Sequence, residues 1–534
     1  MLRGRHRWRR LAAASVGVLS VAVLCTSAGA VPGTSRTRSM PVPAGSATTP
    51  VVSYDSLACR TVGACTAVGS YSNAAGDLTP VADVQGAQGW GVPTTIPLPA
   101  GAATQPAGFG LRSIACPSQG NCLAVGAYVT SGATSDVRPL VTYQVSGVWG
   151  PTSSTIPVPT GAKDATLDAI WCDATSSCVV AGSYTEGKSV ASHVFVDERV
   201  GGAWQSPVAL PDPLSPKLHG AVVVMPHAIS CTSLADCAVV GAVAGTPSYG
   251  TQYGWAAVGQ GSTWTPRVFS PYSTFKDSLN AVSCPTATQC LAVGTLGPTL
   301  TSTGKQAPFA VGYLNGKWSS QWILPWSFWS PSLIAGSLSG VSCPTARRCL
   351  AVGELDTTTA GTAFGATGSY PAVYTRTDNV WTGPAFAVTP ASLGSVSAGA
   401  VLATITCPSQ RYCETLGTTT PRKSSVSGVY PFSTVAQPFF RGTAPSAVTD
   451  ISITRGHRRF QVRWEGPNRF GGSPIATYVV VARSPKELTI DCVTVTTTCR
   501  LYRVVPHHRY SVDVQALNSA RRYGPIRRVF AVGV

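Results

Sequence analysis

Charge is scarce in this 534-residue sequence: Asp, Glu, Lys and Arg make up 11% of it, beside 54 Gly and 41 Pro. So few charges and so many turn-formers exclude a chain built from long amphipathic helices and point to an all-β protein of short strands. Long apolar runs are lacking too. The run near the start, Leu11 to Leu24, spans 14 residues, whereas a membrane-crossing helix needs about 20. No other segment is long and apolar enough to cross a bilayer, so no transmembrane segment is expected in the mature chain. Histidine is rare, 7 in all, and His193, His219, His227, His457, His507 and His508 fall into no metal-ligand or nucleophile motif. No catalytic constellation, metal site or cofactor motif emerges.

The start, MLRGRHRWRR, is basic. With the apolar run after it and the small residues Ala28-Gly29-Ala30, it reads as an export signal over residues 1–30, with 31–38 as a mature N-terminal tail. Arg9-Arg10 permits a twin-arginine route, but the apolar residues that usually follow such a pair are incomplete. An exported chain meets oxidising conditions, which sets how its cysteines are read.

Seven cysteines, Cys59, Cys116, Cys172, Cys231, Cys284, Cys343 and Cys407, are each followed six residues later by another. Successive first cysteines lie 57, 56, 59, 53, 59 and 64 residues apart, a period that marks a repeat architecture. The spacing predicts local disulfides Cys59–Cys65, Cys116–Cys122, Cys172–Cys178, Cys231–Cys237, Cys284–Cys290, Cys343–Cys349 and Cys407–Cys413, with Cys492–Cys499 as an eighth. Thiolate metal ligation prefers gaps of two to four residues.

Each copy opens with an alternating stretch such as Leu279-Asn280-Ala281-Val282-Ser283-Cys284. The second cysteine then begins a short apolar run closed by Gly, as in CLAVG. A third strand ends in a turn and a Trp (Trp149, Trp204, Trp264, Trp318, Trp381), and a fourth runs into Pro. Four strands per copy and seven copies predict a seven-bladed β-propeller over residues 39–437 with one disulfide per blade. Copy seven lacks a fourth strand, while Met40-Pro41-Val42-Pro43-Ala44-Gly45 matches the fourth strands at Ile96 and Ile156. Residues 39–45 are therefore expected to complete the last blade and remove an exposed sheet edge.

The recurring Leu-x-x-Val-Ser-Cys-Pro-Thr/Ser and Cys-Leu-Ala-Val-Gly elements resemble cysteine-paired repeat proteins secreted by high-GC Gram-positive bacteria. That resemblance implies a propeller-like fold and no defined activity. After a linker at 438–443, residues 444–534 resemble a fibronectin type III domain, through Phe460-Gln461-Val462-Arg463-Trp464, Tyr478-Val479-Val480-Val481 and Tyr510 to Ser519. The resemblance makes Trp464 the core tryptophan and Tyr510 the corner tyrosine. It also makes Cys492–Cys499 the staple of a strand hairpin.

The excess of positive charge is local. Residues 444–534 hold 14 Lys/Arg against 5 Asp/Glu, while 39–443 hold 18 against 17. Arg458, Arg459, Arg521, Arg522, Arg527 and Arg528 are candidate contacts for an anionic wall polymer; no reading helix or stacking platform accompanies them, so specific nucleic-acid recognition is not expected. Trp326, Phe328 and Trp329 follow a fourth strand and are candidate ligand-stacking rings, the rival being that they fill a gap between blades. Asp168, Asp236, Glu354 and Asp356 are the acids to examine for chemistry, since spacing along a chain is blind to convergence between blades. The expected protein is secreted, extracellular or cell-surface associated, and noncatalytic. Its partners are an envelope glycan or an extracellular protein; the alternatives are an extracellular carbohydrate-active hydrolase and a structural member of an envelope complex.

Overall fold

A computed structural model describes residues 37–534 except 104–108, 132–135, 153–155, 188–190, 214–221, 246–251, 261–262, 270–276, 298–305, 325–332, 358–367, 387–396, 422–428, 437–443, 468–474, 485–486, 495 and 519–522. The export signal, most of the tail and the linker lie outside these residues. Among the described residues every regular element is a β-strand.

Each cysteine pair closes an antiparallel hairpin. In copy one Val52–Thr61 pairs with Ala64–Ser72, Cys59 directly opposite Cys65. The other six copies repeat the hairpin, and in all seven the bonded cysteines have Cα atoms 4.0–4.1 Å apart. A third strand pairs with the second, and short fourth-strand pieces such as Gly89–Trp90 and Thr94–Thr95 pair with the third. The predicted eighth disulfide, Cys492–Cys499, is also formed.

The run after each second cysteine is buried on both faces, which is why in copies one to six it is continuous rather than alternating; copy seven buries Glu414 and Thr415 there instead. In copy two Cys122 and Ala124 pack with copy one, through Val68, Ala82 and Ile96. Leu123 and Val125 turn the other way and pack with copy three, through Leu167, Val180 and Phe195. Every later pair of neighbours shares such a cluster: three with four, four with five, five with six, six with seven. Leu416 of copy seven then joins Met40, Val52 and Tyr54 beside copy one. The first strand of each copy packs on the first strand of the next, and that of copy seven packs on that of copy one.

The chain's beginning and the last repeat are bonded. Arg38 and Ser39 pair antiparallel with Ser433 and Phe432 on strand Tyr430–Ala436, and Met40 N donates to Pro431 O at 3.1 Å. This pairing covers 38–40 rather than the expected 39–45. Pro41 and Pro43 have no N–H to donate, so the ladder stops there. Gln85 of copy one donates to Glu414 of copy seven, at 3.4 Å.

The C-terminal strands form two sheets. Thr449–Gly456, Arg459–Glu465 and Thr498–Tyr502 make one; Glu487–Thr494, Ile475–Ser484, Arg509–Asn518 and Arg527–Val532 make the other. Between them lie Phe460, Val462, Trp464, Tyr478, Val480, Tyr510 and Val512. Cys492 and Cys499 stand on different sheets, which corrects the expected hairpin staple: the chain crosses from one sheet to the other between them, and the bond ties the two layers.

Candidate functional site

The first strand of a copy carries one residue too many for its partner. The register slips between Tyr54 and Ser56, Leu111 and Ser113, Pro226 and Ala228, Leu279 and Ala281, Leu338 and Gly340, and Leu402 and Thr404. The extra residues are Asp55, Arg112, His227, Asn280, Ser339 and Ala403. Asp168 holds the same place in copy three, just before strand Ala169–Ala174. All seven sit four residues before the first cysteine of their copy.

The glycine of the CLAVG-type run makes this bulge possible. A Cβ on Gly126 would lie 1.8 Å from the carbonyl oxygen of Gly110, and one on Gly294 would lie 1.9 Å from that of Ser278. Only glycine lets the bulged strand approach so closely.

Bulging pushes these side chains out of the alternation and brings several together across copies. Arg112 forms an ion pair with Asp168, whose second oxygen accepts from Thr166 Oγ1 at 2.8 Å. Asp55 accepts from Ser53 Oγ at 2.9 Å, and Asn280 Oδ1 from Ser278 Oγ at 2.5 Å. A hydroxyl two residues earlier thus orients the bulged acid or amide in three copies. Asn280 Nδ2 donates to the Leu338 carbonyl at 2.8 Å. His227 Nδ1 lies 2.9 Å from the Leu279 carbonyl, an acceptor, so that nitrogen carries the proton and Nε2 of the neutral ring is an acceptor.

Burial pushes the Asp55 carboxyl up to about 6, against the opposing effects of Ser53 and Arg112. Burial holds the His227 imidazole below its ordinary value, partly offset by the Leu279 carbonyl and by Asp168. Water still reaches both side chains, which are exposed. Arg112, Asp168 and His227 sense one another's charge, so copies two, three and four share one polar cluster, bordered by Asp55 and Asn280.

Of the four acids singled out in the sequence, Asp168 belongs to this cluster. Glu354 stands on the second strand of copy six, accepting from Ser337 Oγ at 3.3 Å, and its carboxyl is raised by burial and by Asp356. Asp356 accepts from Ser369 at 2.5 Å. Asp236 closes the hairpin turn of copy four, accepting from Ser233 Oγ at 2.9 Å, and has no part in the cluster. Trp326, Phe328 and Trp329 lie outside the described residues, as do Arg521 and Arg522. The sequence reading does not single out Asp55, Arg112, His227 and Asn280: a polar residue stands four before the first cysteine in every copy but the seventh, which has Ala403, and alternation alone assigns it to an ordinary strand face.

Arg458 occupies a tight turn with positive φ and bonds through its backbone to Val534. Arg459 and Arg527 are exposed. Arg528 is committed to Asp513, Nε to Oδ1 at 2.6 Å and Nη2 to Oδ2 at 2.9 Å, and Arg483 joins them at 2.5 Å. Hydrogen bonds from Arg528 hold the Asp513 carboxyl below its ordinary range. Tyr510 is fully buried, and its hydroxyl accepts from Val505 N at 3.0 Å, the back-bond expected of a corner tyrosine.

Residues 445–529 match the fibronectin type III domain family. The C-terminal unit is a fibronectin type III domain. No curated protein matches the chain. Solved structures that resemble parts of it include domains d3–d4 of the rat CD45 extracellular region, with 15% identity over 19% of this chain and 55% of that one, TM-score 0.17. An ulvan lyase of polysaccharide lyase family PL25 aligns at 9% identity over 72% and 94%, TM-score 0.44. The extracellular domain of a hybrid two-component system of B. thetaiotaomicron aligns at 10% over 94% and 58%, TM-score 0.47. The chain spans little more than half of the first and third of these. Among the described residues no helix is long and apolar enough to cross a membrane, and no three His, Cys, Asp or Glu side chains are grouped to hold a metal ion. Eight disulfides together with a fibronectin type III domain fit an extracellular protein.

Proposed function

We propose that the chain is a secreted, noncatalytic binding protein of the cell envelope. The repeat region is a seven-bladed β-propeller whose axial recess receives a hydroxyl-rich glycan, and the basic fibronectin type III domain contacts anionic envelope polymers. The cyclic packing of seven four-stranded units and the pairing of Arg38–Ser39 with the last repeat support the propeller. One observation carries the function: the bulge position of consecutive copies supplies a carboxylate, a guanidinium, an imidazole and an amide side by side. A sugar hydroxyl both donates and accepts, so it meets Asp55 and His227 Nε2 as donor and Arg112 as acceptor.

A glycan array probed with the full mature chain tests this reading. Binding that is lost in a His227→Ala, Asn280→Ala variant and kept in Asp236→Asn supports it. Binding that survives the first variant unchanged, or cleavage of a polysaccharide by the purified chain, overturns it and favours the hydrolase. A Trp326→Ala, Trp329→Ala variant measures what the candidate aromatic stretch adds.

A further inference from the structure

We infer that the outer face of the three-stranded sheet of the fibronectin type III domain, carrying Arg459, Arg463 and Arg500, binds a linear phosphate-bearing polymer. The inference rests on reading this domain as the polyanion-contacting module and names the face and the ligand chemistry.

Register places the three arginines on one surface. Phe460, Val462 and Trp464 point into the core, so Arg459, Gln461 and Arg463 point outward. Arg500 is directly opposite Gln461, and Tyr502 opposite Arg459. Arg459, Arg463 and Arg500 are all exposed. Gly456, opposite Arg459 on the other side, leaves room for that side chain to lie across the sheet: a Cβ there would be 2.9 Å from Arg459 Nε.

The two sheets treat their arginines differently. On the four-stranded sheet Asp513 holds Arg483 and Arg528, and Arg509 lies over the Phe530 ring at 4.9 Å. Among the described residues Arg459, Arg463 and Arg500 make no ion pair, and the two exposed acids of this sheet, Asp450 and Glu465, stand together at one end of it, where Thr449 is opposite Glu465. Residues four apart on a strand are about 13 Å apart, and a diagonal cross-strand neighbour is about 7–8 Å away. Arg459, Arg500 and Arg463 therefore form a zigzag with a positive group every ~7 Å. Phosphate suits it better than carboxylate or a diffuse counter-charge, because guanidinium forks grip its oxygens in pairs.

The test immobilises the full mature chain and titrates long-chain inorganic polyphosphate and poly(glycerol phosphate) at two salt concentrations, with polyglutamate as the carboxylate control. An Arg459→Gln, Arg463→Gln, Arg500→Gln variant is compared with Arg483→Gln, Arg509→Gln, Arg527→Gln, which removes equal charge from the other sheet. The expected result is a loss of at least about tenfold and a flatter salt dependence for the first variant only. Equal losses in both variants, or polyglutamate bound as well as the phosphates, overturn the assignment. If the unmodified chain binds no phosphate polymer even at low salt, the reading of the domain as a polyanion module falls with it. Thermal unfolding of both variants separates lost binding from lost structure.

Discussion

The hydroxyl oxygen of Ser283 accepts a hydrogen bond of 3.0 Å from the backbone N–H of Cys343, the first cysteine of the following copy. Ser230 does the same for Cys284 at 3.0 Å, and Ser342 for Cys407 at 3.1 Å. In the first copies donor and acceptor both shift by two residues: Ile114 N bonds Ser56 Oγ at 3.2 Å and Ile170 N bonds Ser113 Oγ at 3.2 Å. Adjacent units pack face to face with only isolated backbone pairs between them, such as Ser192 with Val223, so an inner-strand N–H that points at the neighbour needs a side-chain acceptor. In copies four to six the serine directly before the first cysteine is that acceptor.

Ser283→Ala should therefore destabilise the repeat region by about 1–2 kcal/mol, the cost of an unpaired, partly buried N–H. Ser342→Ala should cost a similar amount, and because Ser342 directly precedes Cys343, the partner of Ser283, the two should couple rather than simply add. Denaturant unfolding measures both; unchanged midpoints would remove serine from the account of how copies are joined.

Gly126→Ala places a methyl group 1.8 Å from the Gly110 carbonyl oxygen, backbone against backbone. A loss of more than about 3 kcal/mol, or failure to fold, is expected. Gly86→Ala, with nothing within 4 Å of the new Cβ, should stay within about 0.5 kcal/mol. Equal melting temperatures for the two variants would contradict the close approach at the bulge.

Asp83 and Asp197 are each 1% exposed, and burial pushes both carboxyls up to about 7, opposed by neighbouring backbone N–H groups. Their folded-state values lie above the unfolded carboxylate's, so the folded chain binds more protons between about pH 4 and 7. Stability should fall as pH rises through that window. In an Asp83→Asn, Asp197→Asn variant the slope should shrink, as read from melting temperatures across the window.

The fibronectin type III domain should show the opposite trend. Asp513 is held below its ordinary range by Arg528 and Arg483, so its contribution is present above the unfolded carboxylate value and is lost as pH falls through the folded one. Amide protection factors in strand Arg509–Asn518, with the intrinsic exchange rate divided out, should fall on acidification, and Asp513→Asn should remove that response. Exchange in the variant that still tracks pH as before would assign the effect to other carboxylates.

Local spacing determined much of this protein by itself. Two cysteines six residues apart on an alternating stretch close a hairpin whatever surrounds them, and the apolar run after the second cysteine announces a strand packed on both faces. Residues 39–45 are likewise legible as the segment that meets the last repeat, though the backbone pairing is confined to 38–40. Trp464 and Tyr510 are legible as core residues through the resemblance of 444–534 to a fibronectin type III domain. Tertiary structure decided what depends on distance in space. Cys492 and Cys499 span two sheets rather than one hairpin, because their strands take different partners. Arg528 is committed to Asp513 while Arg459 is not, because strand register sets the neighbours. Asp55, Arg112, Asp168, His227 and Asn280 come from five copies separated by more than fifty residues each. Their meeting depends on a bulge repeated in the first strand of six copies, with Asp168 just before the strand in copy three, and on copies packed side by side, and neither is a property of any one stretch of chain.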